Sequence, residues 1–272
     1  MNRYADDLAL THLLADAADS LSTARFKALD LHVTAKPDLT PVSDADTAVE
    51  KAVRAVLSRS RPRDAVVGEE FGSTGGAGGR RWVVDPIDGT KNFIRGVPVW
   101  ATLIALLEDD RPVVGMVSAP ALGRRWWAAT GHGAYAGRHP SSATPLRVSA
   151  VGRLADASLC YSSLTGWEQQ GRLPAMLGLM RDCWRTRAYG DFYGYMLLAE
   201  GALDIMVEPE LSLWDLAALI PIVTEAGGTF TDLEGETGAR GGSAVGSNGA
   251  LHAEVLTRLR PAPLPRATIL AT

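Results

Sequence analysis

The chain has 272 residues and a net charge of −4, with 46% hydrophobic and 21% charged residues. These values are ordinary for a globular protein with a substantial core. The acidic balance, with no run of lysine or arginine, argues against a nucleic-acid partner. Because no apolar signal segment or stretch of membrane-spanning length is present, we expect a cytoplasmic protein with no membrane partner. The two cysteines, Cys160 and Cys183, are predicted to be reduced thiols.

The first half of the chain is predicted to form two helices followed by a series of strands. Apolar residues recur at helical spacing over about 5–29, and a second helix begins near residue 43. Two prolines make the segment 36–42 a predicted loop, and glycines make the segment 72–79 a predicted surface loop. Predicted strands cover 65–68, 82–84, 100–107, 113–118 and 125–129.

The second half is predicted to alternate strands and helices. Predicted strands cover 158–162, 184–187, 205–207, 229–231 and 244–246. Predicted helices cover 173–182, 192–200, 213–226 and 250–259. The Gly227-Gly228 pair after the third of these helices fits a helix C-cap.

The domain organisation is predicted from composition. A stretch rich in Gly, Pro and Ser over 131–145 marks an expected boundary. It separates an N-terminal α+β subdomain over 1–140 from a C-terminal α/β subdomain over 141–260. The tail over 261–272, which contains several prolines, is expected to be flexible.

The most unusual segment is Trp82-Val-Val-Asp-Pro-Ile-Asp-Gly-Thr90, in which an apolar strand leads into two aspartates. Pro86 fixes φ and Gly89 permits unusual backbone angles, so a turn should place Asp85 and Asp88 side by side. Two such carboxylates repel each other unless a proton or cation lies between them, and a hard divalent cation is the natural partner. The alternative, a routine Asp-Gly turn with Asp85 as a helix cap, suits the dipeptide alone better than the full string.

Three further acidic positions are ambiguous when each is taken alone. Glu69 follows the apolar strand 65–68 and is either a ligand or a solvated strand end. Asp215 lies near the start of an apolar helix, where an acid also interacts favourably with the helix dipole. Ser43 and Asp46 fit a capping box, which is compatible with a functional role for Asp46.

Together these segments resemble the inositol monophosphatase family of lithium-sensitive, metal-dependent phosphatases. The resemblance rests on four segments and extends from about residue 8 to about residue 259. The segments are Gly68-Glu69-Glu70, Trp82 to Phe93, Trp214-Asp215, and Glu225-Ala226-Gly227-Gly228. It implies a mixed α and β fold, the layered αβαβα sandwich of the inositol monophosphatase and sugar phosphatase type. It also implies a homodimer and a small phosphate ester as substrate.

The resemblance implies two to three Mg²⁺ ions in each active site. Glu69, Asp85 and the backbone carbonyl of Ile87 would hold the first ion. Asp85, Asp88 and Asp215 would hold the second, and Glu69 with waters would hold a weaker third. Most ligands would then belong to the N-terminal subdomain. Mn²⁺ is an alternative, since both ions accept octahedral oxygen ligands. Without metal the carboxylates repel, so we expect Mg²⁺ to raise the melting temperature.

The resemblance also implies the catalytic roles. Thr90 and Asp46 would orient and deprotonate the attacking water, with Glu69 contributing through the metal. The backbone amides of Gly89 and Thr90 would bind the phosphate at a helix N-terminus, which is a natural anion site.

The substrate is predicted from the C-terminal subdomain. The segment from Arg187 to Tyr195, Arg-x-Tyr-Gly-Asp-x-Tyr-x-Tyr, resembles the histidinol-phosphatase branch of the family. Gly190 and Asp191 would face the organic part of the substrate, and Glu208 matches a substrate-contacting position seven residues before Asp215. Two acids suit a cationic substrate, so histidinol phosphate, with its ammonium and imidazole groups, is preferred.

Several alternatives stay open at this point. Asp191 is otherwise the N-cap of the following helix, and Glu208 is otherwise a strand-end acid. Inositol 1-phosphate, a sugar phosphate or a nucleotide 3′-phosphate are other possible substrates. A regulatory protein without turnover is disfavoured by the full set of acidic positions. The adjacent Trp126 and Trp127 are predicted to pack on opposite faces of a strand.

Overall fold

The structure is a computed structural model that describes residues 3–76, 78–240 and 242–260. The predicted flexible tail over 261–272 lies outside these residues. The described α-helices are α1 (Ala5–Arg25), α2 (Asp44–Ser60), α3 (Thr90–Ile94), α4 (Leu164–Gln169), α5 (Leu173–Asp182), α6 (Asp191–Ala199), α7 (Leu213–Ala217), α8 (Leu219–Glu225) and α9 (His252–Leu259).

The described strands form two main sheets and one hairpin. They are β1 (Val33–Ala35), β2 (Pro41–Ser43), β3 (Ala65–Gly68), β4 (Gly72–Thr74), β5 (Arg80–Asp88), β6 (Ala101–Glu108), β7 (Arg111–Ala119), β8 (Arg124–Ala129), β9 (Ala134–Gly137), β10 (Thr144–Pro145), β11 (Ser158–Tyr161), β12 (Arg185–Arg187), β13 (Ile205–Glu208), β14 (Thr229–Thr231) and β15 (Ala244–Ser247). The large sheet has the order β10-β9-β8-β7-β6-β5-β3-β4, and the small sheet has the order β12-β11-β13-β15-β14.

Pairing within the sheets is mostly antiparallel. In the large sheet β3 runs parallel to β5, and in the small sheet β11 runs parallel to β12 and β13. The strands of the large sheet end at Pro145, and those of the small sheet begin at Ser158. The predicted subdomain boundary near residue 140 stays a prediction.

The helices and sheets stack in five layers. Helices α1 and α2 pack on one face of the large sheet around a core that includes Leu14, Val53 and Trp127. Helices α6, α7 and α8 fill the space between the two sheets, and Trp126 packs there. Helices α4, α5 and α9 cover the outer face of the small sheet. This order is the predicted αβαβα sandwich, and the two tryptophans lie on opposite faces as predicted.

Several local predictions differ from the structure. The turn expected after the strand 82–84 is absent, because β5 continues to Asp88 with a bulge. Helix α1 ends at Arg25 rather than near residue 29, because Phe26 is extended and Lys27 has a φ of 63°. The predicted loop over 36–42 is the turn of the β1–β2 hairpin and includes the start of β2. Strand β4 lies in the glycine-rich segment predicted as a loop. The helix predicted over 213–226 is divided into α7 and α8. Pro221 has no N–H to bond the carbonyl of Ala217, which explains the break.

The two cysteines and the helix lengths bear on the remaining predictions for the chain. Cys160 is buried and Cys183 partly buried, and both are free thiols, as predicted. Within the described ranges, no helix combines the length and the apolar character that a membrane crossing requires. The short helix α4 had no counterpart among the predicted elements.

Candidate metal-binding active site

Three aspartates from two segments converge at one end of the large sheet. Strand β5 bulges between Asp85 and Asp88 where it pairs with β6, and the amide of Ile87 donates to Asp85 Oδ1 at 3.0 Å. Asp215 lies in the first turn of α7, where its Oδ2 accepts from the amide of Ser212 at 2.7 Å. One carboxylate oxygen from each of Asp85, Asp88 and Asp215 lies within 4.8 Å of the others.

The charged forms of these aspartates are unfavourable without a cation. Burial, followed by the negative charges of Glu69 and Asp88, raises the pKa of Asp85 well above its usual range. Burial, followed by the charges of Asp191 and Asp215, does the same to the pKa of Asp88. Burial raises the pKa of Asp215 to about 6, although its bond from Ser212 opposes the shift. Repulsion among closely spaced acids that are buried or partly buried is the pattern expected of a cation site.

Glu69 joins this cluster because β3 and β5 are parallel. Their register pairs Gly68 with Val84, and the amide of Glu69 donates to the carbonyl of Val84 at 3.2 Å. Burial raises the pKa of the Glu69 carboxyl, and its bond from Lys36 opposes that shift. The ammonium of Lys36 lies 2.6 Å from Glu69 Oε1 and 2.7 Å from Glu70 Oε1. Among the described residues, Lys36 is the only base that forms salt bridges with this group of acids.

The donor set fits a hard divalent cation. It consists of the carboxylates of Glu69, Asp85, Asp88 and Asp215, with the carbonyl of Ile87 beside them. All of these donors are oxygens, which Mg²⁺, Mn²⁺ and Ca²⁺ prefer over nitrogen or sulfur. The described part of the chain brings no histidine or cysteine into this cluster.

Asp46 and Thr90 are in hydrogen-bond contact next to the cluster. The hydroxyl of Thr90 lies 3.2 Å from Asp46 Oδ1 and 3.0 Å from the carbonyl of Ile87, either of which it can donate to. Asp46 Oδ2 accepts from the amide of Ser43 at 2.8 Å and from its hydroxyl at 2.5 Å. The predicted capping box at the start of α2 is therefore present. Burial raises the pKa of Asp46.

Gly89 links the metal ligands to the short helix α3. It adopts a left-handed conformation with a φ of 83° as the residue before Thr90, a conformation that favours glycine. A Cβ at this position would lie 3.1 Å from the carbonyl of Val99 and 3.4 Å from Asp191 Oδ2. Both the φ of Gly89 and its close neighbours therefore favour glycine at this position.

Most of these groups line one open cavity of about 620 Å³, but Asp46 and Gly190 are not among its lining residues. It contains most of the predicted site residues: Glu69, Asp85, Ile87, Asp88, Gly89, Thr90, Asp191 and Asp215. Sequence reasoning missed its other wall, which includes Lys36, Asp38, Thr40, Asn92, Ser212 and Trp214. The signal for the first three was the Lys-Pro-Asp-Leu-Thr-Pro string, which forms the tip of the β1–β2 hairpin rather than a plain loop. Asn92 was visible in the segment Trp82 to Phe93 but received no role.

Asp191 reaches the cavity from the start of α6. Its φ is 47°, which is uncommon for an aspartate, and its Oδ2 accepts from Asn92 Nδ2 at 3.1 Å. The N-cap of α6 is Gly190, which has a φ of 71°. The alternative role of Asp191 as a helix N-cap is therefore wrong. The amide of Phe192 donates to Asp88 Oδ2 at 2.7 Å, which ties α6 to the metal cluster.

Glu208 lies behind the cavity wall rather than on it. It ends β13 and is only 3% exposed. Burial raises the pKa of Glu208 to about 8, and the hydroxyls of Ser162 and Tyr195 counteract part of that effect. Within the described residues its Oε2 has no hydrogen-bond partner. The structure thus brings Glu208 close to Asp191 and Asp215 electrostatically, but it does not place Glu208 among the residues that line the cavity.

Sequence comparison connects the chain with named enzymes. It is 64% identical over 260 residues to a Streptomyces coelicolor protein named histidinol-phosphatase, with 94% of this chain and 97% of the relative covered. It is 60% identical over 254 residues to a Mycobacterium tuberculosis protein of the same name, with 93% and 98% covered. Both similarities therefore extend over nearly the whole length of each protein.

Structural comparison agrees with the layered architecture. An inositol monophosphatase from Zymomonas mobilis has a TM-score of 0.84 to this chain at 33% sequence identity, covering 95% of this chain and 99% of that one. This similarity confirms the predicted αβαβα sandwich. The inositol monophosphatase family itself matches residues 7–263. With the carboxylate cluster, the fold and the sequence in agreement, the chain belongs to the inositol monophosphatase family.

Proposed function

We propose that the chain is a Mg²⁺-dependent phosphoric monoester hydrolase that converts histidinol phosphate to histidinol and phosphate, a reaction of histidine biosynthesis. Two whole-length relatives named histidinol-phosphatase support the substrate. The cluster of three aspartates, of which Asp85 is buried and the other two are partly buried, supports the dependence on a divalent metal. The observation that carries the proposal is Asp191, an aspartate that lines the same cavity beside Gly89 but is not one of the three clustered aspartates.

The clustered acids are proposed to hold the metal. Glu69, Asp85 and the carbonyl of Ile87 would bind one Mg²⁺, and Asp85, Asp88 and Asp215 would bind a second. Glu69 would also contact a weaker third ion. When bound, these ions would lower the pKa of a coordinated water and offset the charge of the reacting phosphate. The same oxygen donors would accept Mn²⁺.

Thr90 and Asp46 are proposed to prepare the attacking water. The Thr90 hydroxyl can accept a hydrogen bond from the water while it donates its own proton to Asp46 Oδ1. The bonds from Ser43 hold the other oxygen of Asp46 and fix its orientation. A water positioned by Thr90 could therefore pass a proton toward Asp46 as it attacks phosphorus. Gly89 and Thr90 would bind the phosphate through their backbone amides.

Asp191 is proposed to select a cationic substrate. It lies beside Gly89, where the phosphate would bind, so its carboxylate would repel a phosphate whose organic part is neutral. In histidinol phosphate the ammonium is carried by the carbon next to the one that bears the ester. A positive charge would then lie between Asp191 and the phosphate, and Asn92 would hold Asp191 in place for that contact.

The remaining substrate-side residues and the assembly are also proposals. Gly190 would leave room for the organic part of the substrate, and Glu208, whose pKa is raised to about 8 by burial, would contribute on the substrate side as a neutral acid behind the cavity wall. The family resemblance supports a homodimer, and a cytoplasmic location is proposed as well. The predicted boundary near residue 140 would then separate most metal ligands from Asp215 and the substrate-side residues.

A phosphate-release panel with saturating Mg²⁺ tests the substrate. The panel compares histidinol phosphate with inositol 1-phosphate, fructose 1,6-bisphosphate and adenosine 3′,5′-bisphosphate. We expect histidinol phosphate to have a kcat/KM at least about tenfold above the others, since one good ionic contact contributes on the order of 1.4 kcal/mol or more. Comparable rates on all four esters would contradict the proposed substrate and would support only a general phosphatase activity.

The variant Asp191→Asn tests the residue that carries the proposal. It keeps the shape of the side chain and removes the charge, so kcat/KM for histidinol phosphate should fall by about tenfold to a hundredfold. The rate on inositol 1-phosphate should be unchanged or higher, because a repulsive charge near the phosphate is removed. Unchanged turnover of histidinol phosphate would rule out the role of Asp191 in cation recognition.

A further inference from the structure

Glu50 is a buried carboxylate that has no role in the chemistry proposed above. It lies on α2, one helical turn after Asp46, and is 0% exposed. An ionised group is almost never fully buried unless it is paired, and Glu50 is paired with Arg54. The Arg54 Nε donates to Glu50 Oε1 at 2.7 Å.

The other bonds of Glu50 go to the backbone that follows a proposed metal ligand. Its Oε2 accepts from the amide of Glu70 at 2.7 Å, and its Oε1 accepts from the amide of Phe71 at 3.2 Å. These are the two residues directly after Glu69. The turn that carries the Glu69 carboxylate is therefore fixed by a side chain of a different element.

Gly68 shows how closely this carboxylate packs against the turn. A Cβ at Gly68 would lie 1.9 Å from Glu50 Oε1, a distance that no real contact allows. Gly68 is not among the residues with positive φ, so its backbone does not require glycine. The Gly-Glu-Glu motif needs its glycine because the carboxylate of Glu50 occupies the space of a side chain.

Arg54 extends the same network to the far side of the turn. Its Nη1 donates to the hydroxyl of Thr74 at 2.7 Å, and its Nη2 donates to the carbonyl of Gly72. Glu50 and Arg54 together thus hold the β3–β4 turn from both ends against α2. Helix α2 also carries Asp46, so one rigid element sets the position of both Asp46 and Glu69.

We propose that Glu50 is a positioning residue for the metal site: its carboxylate fixes the 69–71 turn and thereby holds the Glu69 carboxylate ready for the cation. This inference rests on the proposed function, because it takes Glu69 to be a metal ligand. Side chains that orient metal ligands without touching the metal typically contribute about tenfold to a hundredfold in metal affinity.

The variant Glu50→Gln tests the proposal in the intact protein. Glutamine has the same shape, but its amide nitrogen must face a donor, either Arg54 or a backbone N–H, so at least one bond to the turn is lost. We expect the dissociation constant for Mg²⁺, measured by calorimetric titration without substrate, to rise by about tenfold. In the metal-free protein, the amides of Glu70 and Phe71 should exchange hydrogen faster than in the wild type.

Glu225→Gln is the matched control. The Glu225 carboxylate also accepts from two backbone amides of a turn, those of Gly131 at 2.9 Å and Gly133 at 2.8 Å, but that turn lies outside the cavity. We expect this variant to lower the melting temperature and to keep the Mg²⁺ dissociation constant within twofold. A tenfold loss in the control as well would show a general effect of destabilisation and overturn the inference.

The remaining outcomes are also distinguishable. A Mg²⁺ dissociation constant within twofold of wild type in Glu50→Gln overturns the inference and leaves the metal site intact. A wild-type protein that binds no Mg²⁺ overturns the proposed metal site and this inference with it. Should Glu50→Gln not fold, Glu50→Asp is measured against the same thresholds, since its shorter carboxylate cannot reach both amides.

Discussion

Two groups of acidic side chains in this chain are similarly buried but differ in what stands opposite them. Asp7 is 5% exposed and Asp85 is 2% exposed. Asp7 faces the guanidinium groups of Arg61 at 2.9 Å and Arg80 at 2.8 Å. Asp85 faces other carboxylates, those of Asp88 and Asp215, within 4.8 Å. Each acid of the first group is paired with a base, whereas the acids of the second group repel each other unless they take up a proton or bind a cation.

Structural acids in this chain differ from the proposed functional ones in the charge of their partners rather than in their burial. The group around Asp7 continues through Arg80 to Asp64 at 3.3 Å and to Glu108 at 2.9 Å, so each acid has a base. Glu208 represents a third case, a buried acid with neither a base nor a proposed metal. The pKa of Glu208, raised by burial to about 8, means that it keeps its proton at neutral pH. Each case predicts a different response to neutralising the side chain.

Neutralising a metal ligand should have the largest effect. In Asp85→Asn we expect kcat/KM to fall by at least about 10³-fold, which corresponds to about 4 kcal/mol of transition-state stabilisation. Wild-type protein should gain about 5 °C or more in melting temperature when Mg²⁺ replaces a chelator. The variant should lose most of that gain, because the two proposed metal positions share Asp85.

The melting temperature of Asp85→Asn in chelator tests whether Asp85 stabilises the fold without a metal. Without a cation, Asp85 either repels its neighbours or takes up a proton, so its replacement by asparagine should not lower the melting temperature in chelator. A clear drop in chelator would mean that Asp85 stabilises the fold by itself. Asp85 would then stabilise the fold as Asp7 does, and the two groups of acids would not differ in this respect.

Neutralising Glu208 should have a pH-dependent effect on stability. An acid whose pKa rises from about 4.5 in the unfolded chain to about 8 in the folded one is bound to a proton more often in the folded state between those values. Its contribution to folding is therefore present at low pH and is lost as the pH rises from about 5 to about 8. The slope is at most about 1.4 kcal/mol per pH unit.

Glu208→Gln should remove this slope. The melting temperature of the variant relative to wild type should therefore increase from pH 5 to pH 8, by about 5 °C or more in saturating Mg²⁺. Saturating metal keeps the ligand carboxylates ionised in both proteins, so the difference isolates Glu208. A difference between the two proteins that does not vary with pH would show that Glu208 ionises normally.

Much of the candidate site was predictable because its residues are adjacent in sequence. The segment from Trp82 to Phe93 contains Asp85, Ile87 and Asp88, and the structure brings the two aspartates together at a bulge of β5 rather than in the turn that Pro86 and Gly89 predict. The capping box of Ser43 and Asp46 follows from local spacing in the same way. The layered fold was predicted from family resemblance rather than from the pattern of any single element.

Features that depend on contacts between distant segments were not predictable. The bond from Asn92 to Asp191 joins residues 99 positions apart, and the contact of Glu50 with Gly68 and Phe71 depends on how α2 packs on the large sheet. The burial of Glu208 behind the cavity depends on α6, which carries Tyr195, and on the end of β11. Local sequence patterns contain no information on such packing, so the position of Glu208 behind the cavity wall could not be predicted.

Neutralising a paired acid should have the smallest effect, and only on stability. Asp7→Asn leaves Arg61 and Arg80 without one of their partners. These guanidinium groups are 28% and 33% exposed, so the cost should stay below the 3–5 kcal/mol typical of a fully buried pair, at about 2 kcal/mol. The melting temperature in saturating Mg²⁺ should drop by about 5 °C. Both kcat/KM and the increase in melting temperature on addition of Mg²⁺ should stay within twofold of wild type.

The exposed pair of Asp182 with Arg258 supplies the control, since Asp182→Asn should change stability by less than about 1 kcal/mol. If Asp7→Asn instead weakened the response to Mg²⁺, burial alone would make an acid functional here, and the nature of its partners would no longer distinguish the two groups.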